Sequence, residues 1–244
     1  MFGCQPISSL SHLLAAAAAV AAAVPLVRLG RGNAGRMWAL GVYVVCVIAA
    51  LTISGVYHSI GRDSPTRLFM QRLDHFAIWA LIAGTFTAVH GTMCRGFWRG
   101  GLLAIIWMYA ITGVFLQVTW FKLFSGNIGL LLYLGMGWIG VGSIMKIGGQ
   151  IGFRRVLPIL YAGLFFSVGA ILEAFDWPTL VRPWFGAHEI FHFAVIIGVG
   201  LLWLFIRKLL LHHVPAALPQ AVPAAAAVAP LVAAEAAVVV SSVG

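Results

Sequence analysis

Residues 38–58 read WALGVYVVCVIAALTISGVYH, from Trp38 to His58, without one charged side chain. About 20 apolar residues in a helix cross the roughly 30 Å core of a bilayer. The stretch is therefore long and apolar enough to be a membrane span. Its serine and its histidine, Ser54 and His58, stand together at its C-terminal end.

The same pattern repeats on both sides. Apolar runs at 10–27, 75–93, 101–121, 127–146, 156–174 and 188–206 join 38–58 to make seven candidate spans. None shows the alternation of barrel strands, and a helix satisfies its own backbone hydrogen bonds in lipid. The expected fold is an all-α membrane protein, a seven-transmembrane-helix bundle. Composition agrees. Of 244 residues, 62% are hydrophobic and 9% charged, with a mean hydropathy of +1.02. A soluble domain carries about 25% charged residues.

The net charge of +9 does not imply nucleic acid. Lys and Arg sit in short clusters between the apolar runs, where they orient a membrane protein and meet anionic lipid. Cys4, Cys46 and Cys94 lie far apart and form no CxxC pattern, so Cys46 reads as a small apolar residue in mid-span. The first run ends in Arg28 and Arg31 and not in a polar cleavage region, so it reads as a retained helix. Gly135, Gly137, Gly140 and Gly142 in the fifth run favour close helix packing. From Val214 to Gly244 the chain is rich in Ala, Val and Pro, and Pro215, Pro219, Pro223 and Pro230 break it too often for a span. The expected organisation is one membrane domain over 8–208 and a low-complexity, disordered C-terminal tail over 209–244.

Seven spans impose a parity on the polar residues. His12 begins span one, Ser54 and His58 end span two, and Asp74 and His75 begin span three. Glu173 ends span six, and His188, Glu189 and His192 begin span seven. All fall on one membrane face. His90, His212 and His213 fall on the other. Ionisable groups at the edge of hydrocarbon are costly and usually functional.

Spacing narrows this set. His188 and His192 are one helical turn apart, as are Ser54 and His58. Two imidazoles on one turn and a third from another helix form the open three-ligand site of catalytic zinc. His58 is on the correct face to be the third, and a fourth position is left for water. Asp74 is placed to hold or deprotonate that water, and Ser54 to hydrogen-bond it or a substrate carbonyl. Plainer roles stand beside these. Asp74 can cap the third helix, Ser54 can bond its own helix, Glu173 can pair with Arg182, and His12 and His75 read as interfacial.

His188-Glu189-Ile190-Phe191-His192 also matches the zinc-protease helix H-E-x-x-H. Such proteases take a further, usually acidic, ligand from a later segment, where the only acid of this chain is Glu235, in the tail. The pattern opens the last span here, which argues against a protease. Haem between paired histidines is a weaker alternative, because stacking two on one turn suits a small ion better.

The chain also resembles a known family. Ser54-Gly55-Val56-Tyr57-His58 reads S-x-x-x-H. Arg72-Leu73-Asp74-His75-Phe76-Ala77-Ile78-Trp79 is followed by Leu81-Ile82-Ala83-Gly84-Thr85-Phe86-Thr87, and His188 to His192 closes the set. Together these resemble the hemolysin III branch of the progestin and adiponectin receptor-like family, whose bacterial members are also called membrane homeostasis proteins. Ser8-Ser9-Leu10-Ser11-His12 and Gly137-Trp138 are similar to further motifs of that branch. The resemblance spans about residues 8 to 206.

It implies a zinc ion held by His58, His188 and His192, with Asp74 at the zinc-bound water and Ser54 beside it. It also implies a site like that of alkaline ceramidases. One position departs: Ile171-Leu172-Glu173-Ala174 places an acid where the branch often has an aromatic.

The leading expectation is thus a zinc-dependent, ceramidase-like hydrolase of a membrane lipid amide or ester, in the cell (plasma or inner) membrane and linked to membrane homeostasis. The alternatives are a non-enzymatic receptor or membrane-state regulator with structural zinc, and a cytolytic membrane protein. Two arguments on orientation conflict. Ten Lys and Arg lie on the face of the odd loops and the C-terminus, and five lie on the face of the site. Positive-inside bias thus puts the site outside the cytoplasm. Resemblance to the adiponectin receptors implies zinc near the cytoplasm.

Overall fold

The computed structural model describes residues 5–181 and 185–212. Among them it contains seven helical spans long and apolar enough to cross a membrane. Three are single helices in the first half of the chain: α1 (Pro6–Arg28), α2 (Ala34–Ser59) and α3 (Arg67–Met93). A short 3-10 turn at Gly96–Trp98 leads into α4 (Gly100–Thr119), and the small helix α5 (Phe121–Phe124) follows it. The fifth span is two helices, α6 (Asn127–Trp138) and α7 (Gly140–Ile151). The last two spans are α8 (Phe153–Ala174) and α9 (Ala187–His212). Arg182 and the expected tail beyond His212 lie outside the described residues.

Local sequence explains the boundaries. Proline opens α1, where its missing N–H costs nothing. Asn33 caps α2 by accepting from the Arg36 N–H at 3.0 Å. Between α2 and α3 the Arg67 guanidinium donates to the Ile60 carbonyl and lies over the Tyr57 ring at 4.8 Å. This ties down the end of α2 that carries His58.

Two boundaries differ from expectation. Helix α3 begins at Arg67, not 75, because apolar length marks the membrane-embedded part of a helix and not its polar first turns. Arg67, Gln71 and Arg72 extend it toward water. Asp74 is therefore two turns inside α3 and does not cap it. The fifth span breaks at Ile139, where the Gly142 N–H donates to the Ile139 carbonyl at 3.1 Å. Glycine is about 1 kcal/mol worse than alanine inside a helix, and Gly135, Gly137, Gly140 and Gly142 bracket the break. The Trp138 indole N–H donates to Ser167 Oγ at 3.0 Å and ties the break to α8.

Helix α2 packs between α1 and α3, α8 packs on α9, and α1 meets α9, which brings the two ends of the membrane unit together. Close approach needs small residues. A Cβ on Gly84 of α3 would stand 2.8 Å from the Cys46 Cβ of α2. That contact gives Cys46 its place as a small packing residue. Outward-facing side chains such as Met108, Phe115 and Leu131 are large, apolar and exposed, as a lipid-facing surface requires.

Candidate metal centre

Three helix ends meet near one end of the bundle. Helix α2 brings His58, α9 brings His188 and His192, and α1 brings His12. His58 is 1% exposed, His192 5% and His12 3%. Ring centroids lie 4.9 Å apart for His58 and His188, 4.4 Å for His58 and His192, and 4.5 Å for His188 and His192. One nitrogen from each of these three lies within 4.8 Å of the others.

The other nitrogen of each ring is occupied. His58 Nδ1 lies 2.6 Å from Gln5 Oε1, and His188 Nδ1 lies 3.0 Å from Glu173 Oε1. A carbonyl or carboxylate oxygen only accepts, so both Nδ1 atoms carry the proton and both Nε2 atoms keep their lone pairs. His192 Nδ1 faces His12 Nε2 at 3.2 Å, and its own Nε2 stands 3.0 Å from His188 Nε2. If His192 Nδ1 donates to His12, all three Nε2 lone pairs converge on one point.

Lone pairs that close repel unless a proton or a cation lies between them. Three neutral imidazoles are a zinc donor set with an open fourth position. Nitrogens bound at about 2.0–2.1 Å in a tetrahedron lie about 3.4 Å apart, close to the His188–His192 spacing. The residues present therefore fit a divalent metal such as zinc. Their Nδ1 partners are the kind that hold a ligating histidine in tautomer and orientation.

Asp74 and Ser54 line the same cavity as His192 and His12. The Ser54 hydroxyl is a hydrogen-bonding neighbour of the Asp74 carboxyl. Beyond this polar end the cavity is walled by apolar side chains such as Leu81, Ile82, Phe86 and Val195, with a volume of about 220 Å³.

Glu189, the acid of the H-E-x-x-H pattern, is turned elsewhere. Its Oε2 accepts from the Gly186 N–H at 2.9 Å, and its Oε1 lies 3.5 Å from Ser8 Oγ. It caps the start of α9 in the manner of a capping box and does not line the cavity. The two histidines expected to be interfacial differ. His75 stays away from the cluster, with Nδ1 2.9 Å from the Gln71 carbonyl and Nε2 3.2 Å from that of Ser125. His12 is a correction: it is buried against His192 with ring centroids 4.4 Å apart, because α1 packs on α9. Glu173 meets His188. Gln5 escapes sequence reasoning altogether, since a glutamine before the first span carries no pattern of its own.

Fold and site together define a seven-helix membrane protein with a candidate histidine metal centre near one end of the bundle. The family model described as "Haemolysin-III related" matches residues 5–203, so the chain belongs to the haemolysin III-related family. The chain is 33% identical to Hemolysin-3 of Bacillus cereus over 172 residues, 70% of this chain and 75% of that protein. It is also 27% identical to the Hemolysin-3 homolog of Bacillus subtilis (strain 168) over 169 residues, 68% of this chain and 76% of that protein.

Proposed function

We propose that the chain binds one zinc ion through the Nε2 atoms of His58, His188 and His192 and hydrolyses a lipid amide or ester in the cell membrane. The observation that carries this reading is the convergence of three imidazoles whose opposite nitrogens are engaged by Gln5, Glu173 and His12. Zinc, when bound, supplies Lewis-acid polarisation of a carbonyl and a water acidic enough to act near neutral pH.

The remaining steps belong to the chain. The Asp74 carboxylate takes the proton of the attacking water and returns it to the leaving amine or alcohol. The Ser54 hydroxyl holds that carboxylate in place. The apolar cavity receives the acyl chain, which arrives sideways from the lipid. Cleaving a membrane lipid would give the protein a role in membrane homeostasis.

A second reading makes the metal structural, in a receptor or a regulator of membrane state. It is favoured by the origin of the ligands, since helices from opposite ends of the membrane unit supply them. Turnover of long-chain N-acyl lipids by purified protein separates the two. With catalytic zinc, Asp74→Asn abolishes turnover and keeps the metal, whereas His188→Ala loses both. Undiminished turnover in Asp74→Asn would sink the hydrolytic reading and leave the metal site standing.

A further inference from the structure

The cavity has a second polar end, lined by His90 and Ser143. His90 lies about 24 Å along α3 from Asp74, at about 1.5 Å of rise per residue, so this end is remote from the metal centre. His90 is fully buried, and Ser143 of α7 is nearly so.

The geometry is that of a nucleophile and its base. His90 Nδ1 lies 2.6 Å from the Trp98 carbonyl oxygen, and His90 Nε2 lies 2.7 Å from Ser143 Oγ. The carbonyl only accepts, so Nδ1 carries the proton and Nε2 offers its lone pair to the serine. The Ser143 hydroxyl therefore donates to His90. Stacking on the rings of Phe86, at 5.8 Å and 18°, and Trp98, at 6.4 Å and 12°, holds the imidazole plane. A nucleophile bonded to a base that a third group orients is the arrangement that activates a hydroxyl.

Ser143 does not take the intrahelical bond that several hydroxyls of α3, α4 and α8 take. Thr85, Thr87, Thr92, Thr119 and Ser167 each donate to the carbonyl four residues back, the ordinary solution inside a helix. Ser143 instead gives its proton to an imidazole on another helix. Gly140 and Gly142 precede it without side chains. An ionisable group inside a membrane protein is costly to keep there and is by default a functional one.

We propose that Ser143 and His90 form a second reactive site, independent of the metal, that accepts an acyl group from a long-chain ester held in the cavity. As the Ser143 Oγ–carbon bond forms at the ester carbonyl, His90 Nε2 takes the hydroxyl proton. The imidazolium, still held by the Trp98 carbonyl, returns that proton to the departing alcohol as its bond to the acyl carbon breaks. Water, deprotonated by the same Nε2, then releases the fatty acid and restores the serine.

A dodecyl fluorophosphonate added to the full-length protein in detergent tests this. Mass spectrometry should find the phosphonyl adduct on Ser143, and prior metal chelation should leave its rate unchanged, which separates it from any reaction at the metal centre. Ser143→Ala should abolish the adduct. His90→Gln, shown to melt within a few degrees of the parent, should slow it on the order of 10²-fold. A Ser143→Cys variant treated with a long-chain maleimide reports whether a chain reaches this end of the cavity, and labelling of the introduced thiol is expected. No adduct on Ser143, a rate indifferent to His90→Gln, or a Ser143→Cys variant that the maleimide leaves unlabelled at that position would each overturn the proposal.

Discussion

A histidine has two ring nitrogens, and what one does fixes what the other can do. At His58, His188 and His192 the partners of Nδ1 are Gln5, Glu173 and His12, which leaves the Nε2 atoms to face one another. Removing the charge of Glu173 should loosen the hold on His188 without disturbing the bundle. Glu173→Gln is therefore expected to weaken zinc about 10–100-fold in a competition titration against a chelator. Unchanged affinity would mean the Glu173–His188 contact does not orient a ligand. The three histidines are legible from one-turn spacing and membrane parity. Their partners are not. Gln5 is 53 residues from His58 and His12 is 180 residues from His192, and no periodicity links residues that only tertiary packing brings together. Asp74 reads as a possible cap in the sequence because its polar neighbours resemble a loop. It proves to be inside α3, lining the cavity.

Helices α2 and α3 approach closely enough to place Ser54 beside Asp74 because Gly84 leaves room for Cys46. A larger side chain there would push them apart. Gly84→Leu is expected to destabilise the bundle by about 1–3 kcal/mol or more, since overpacking a tight contact costs at least that. Thermal unfolding in detergent measures it, and an unchanged midpoint would contradict the tight packing. All seven spans can be read from hydropathy, because the bilayer sets the length of an apolar run. The interruption at Ile139 is hidden, since Trp138, Ile139 and Val141 are as apolar as the helices around them. Glycine content shows that the segment would pack closely, but not where it would break.

At the scale of the molecule, two arguments give opposite orientations. Ten Lys and Arg flank the C-terminal face and five flank the face of the histidine cluster. Positive-inside bias predicts the C-terminus in the cytoplasm and the cluster toward the opposite side, whereas resemblance to the adiponectin receptors implies the cluster near the cytoplasm. A reporter that works only outside the cytoplasm, fused after Arg207, decides between them: the charge argument predicts silence, and activity would overturn it.

The haemolysin III-related family model covers residues 5–203 and so takes in every residue of the histidine cluster. Asp74, Ser54 and the end of the cavity they share with His12 and His192 acquire a common purpose only around a metal. Metal analysis of the purified protein tests this most directly, with the parent and His58→Ala prepared side by side. The expected result is about one zinc per chain in the parent and its loss in the variant. A folded parent without stoichiometric metal, or equal metal in both proteins, would contradict the account.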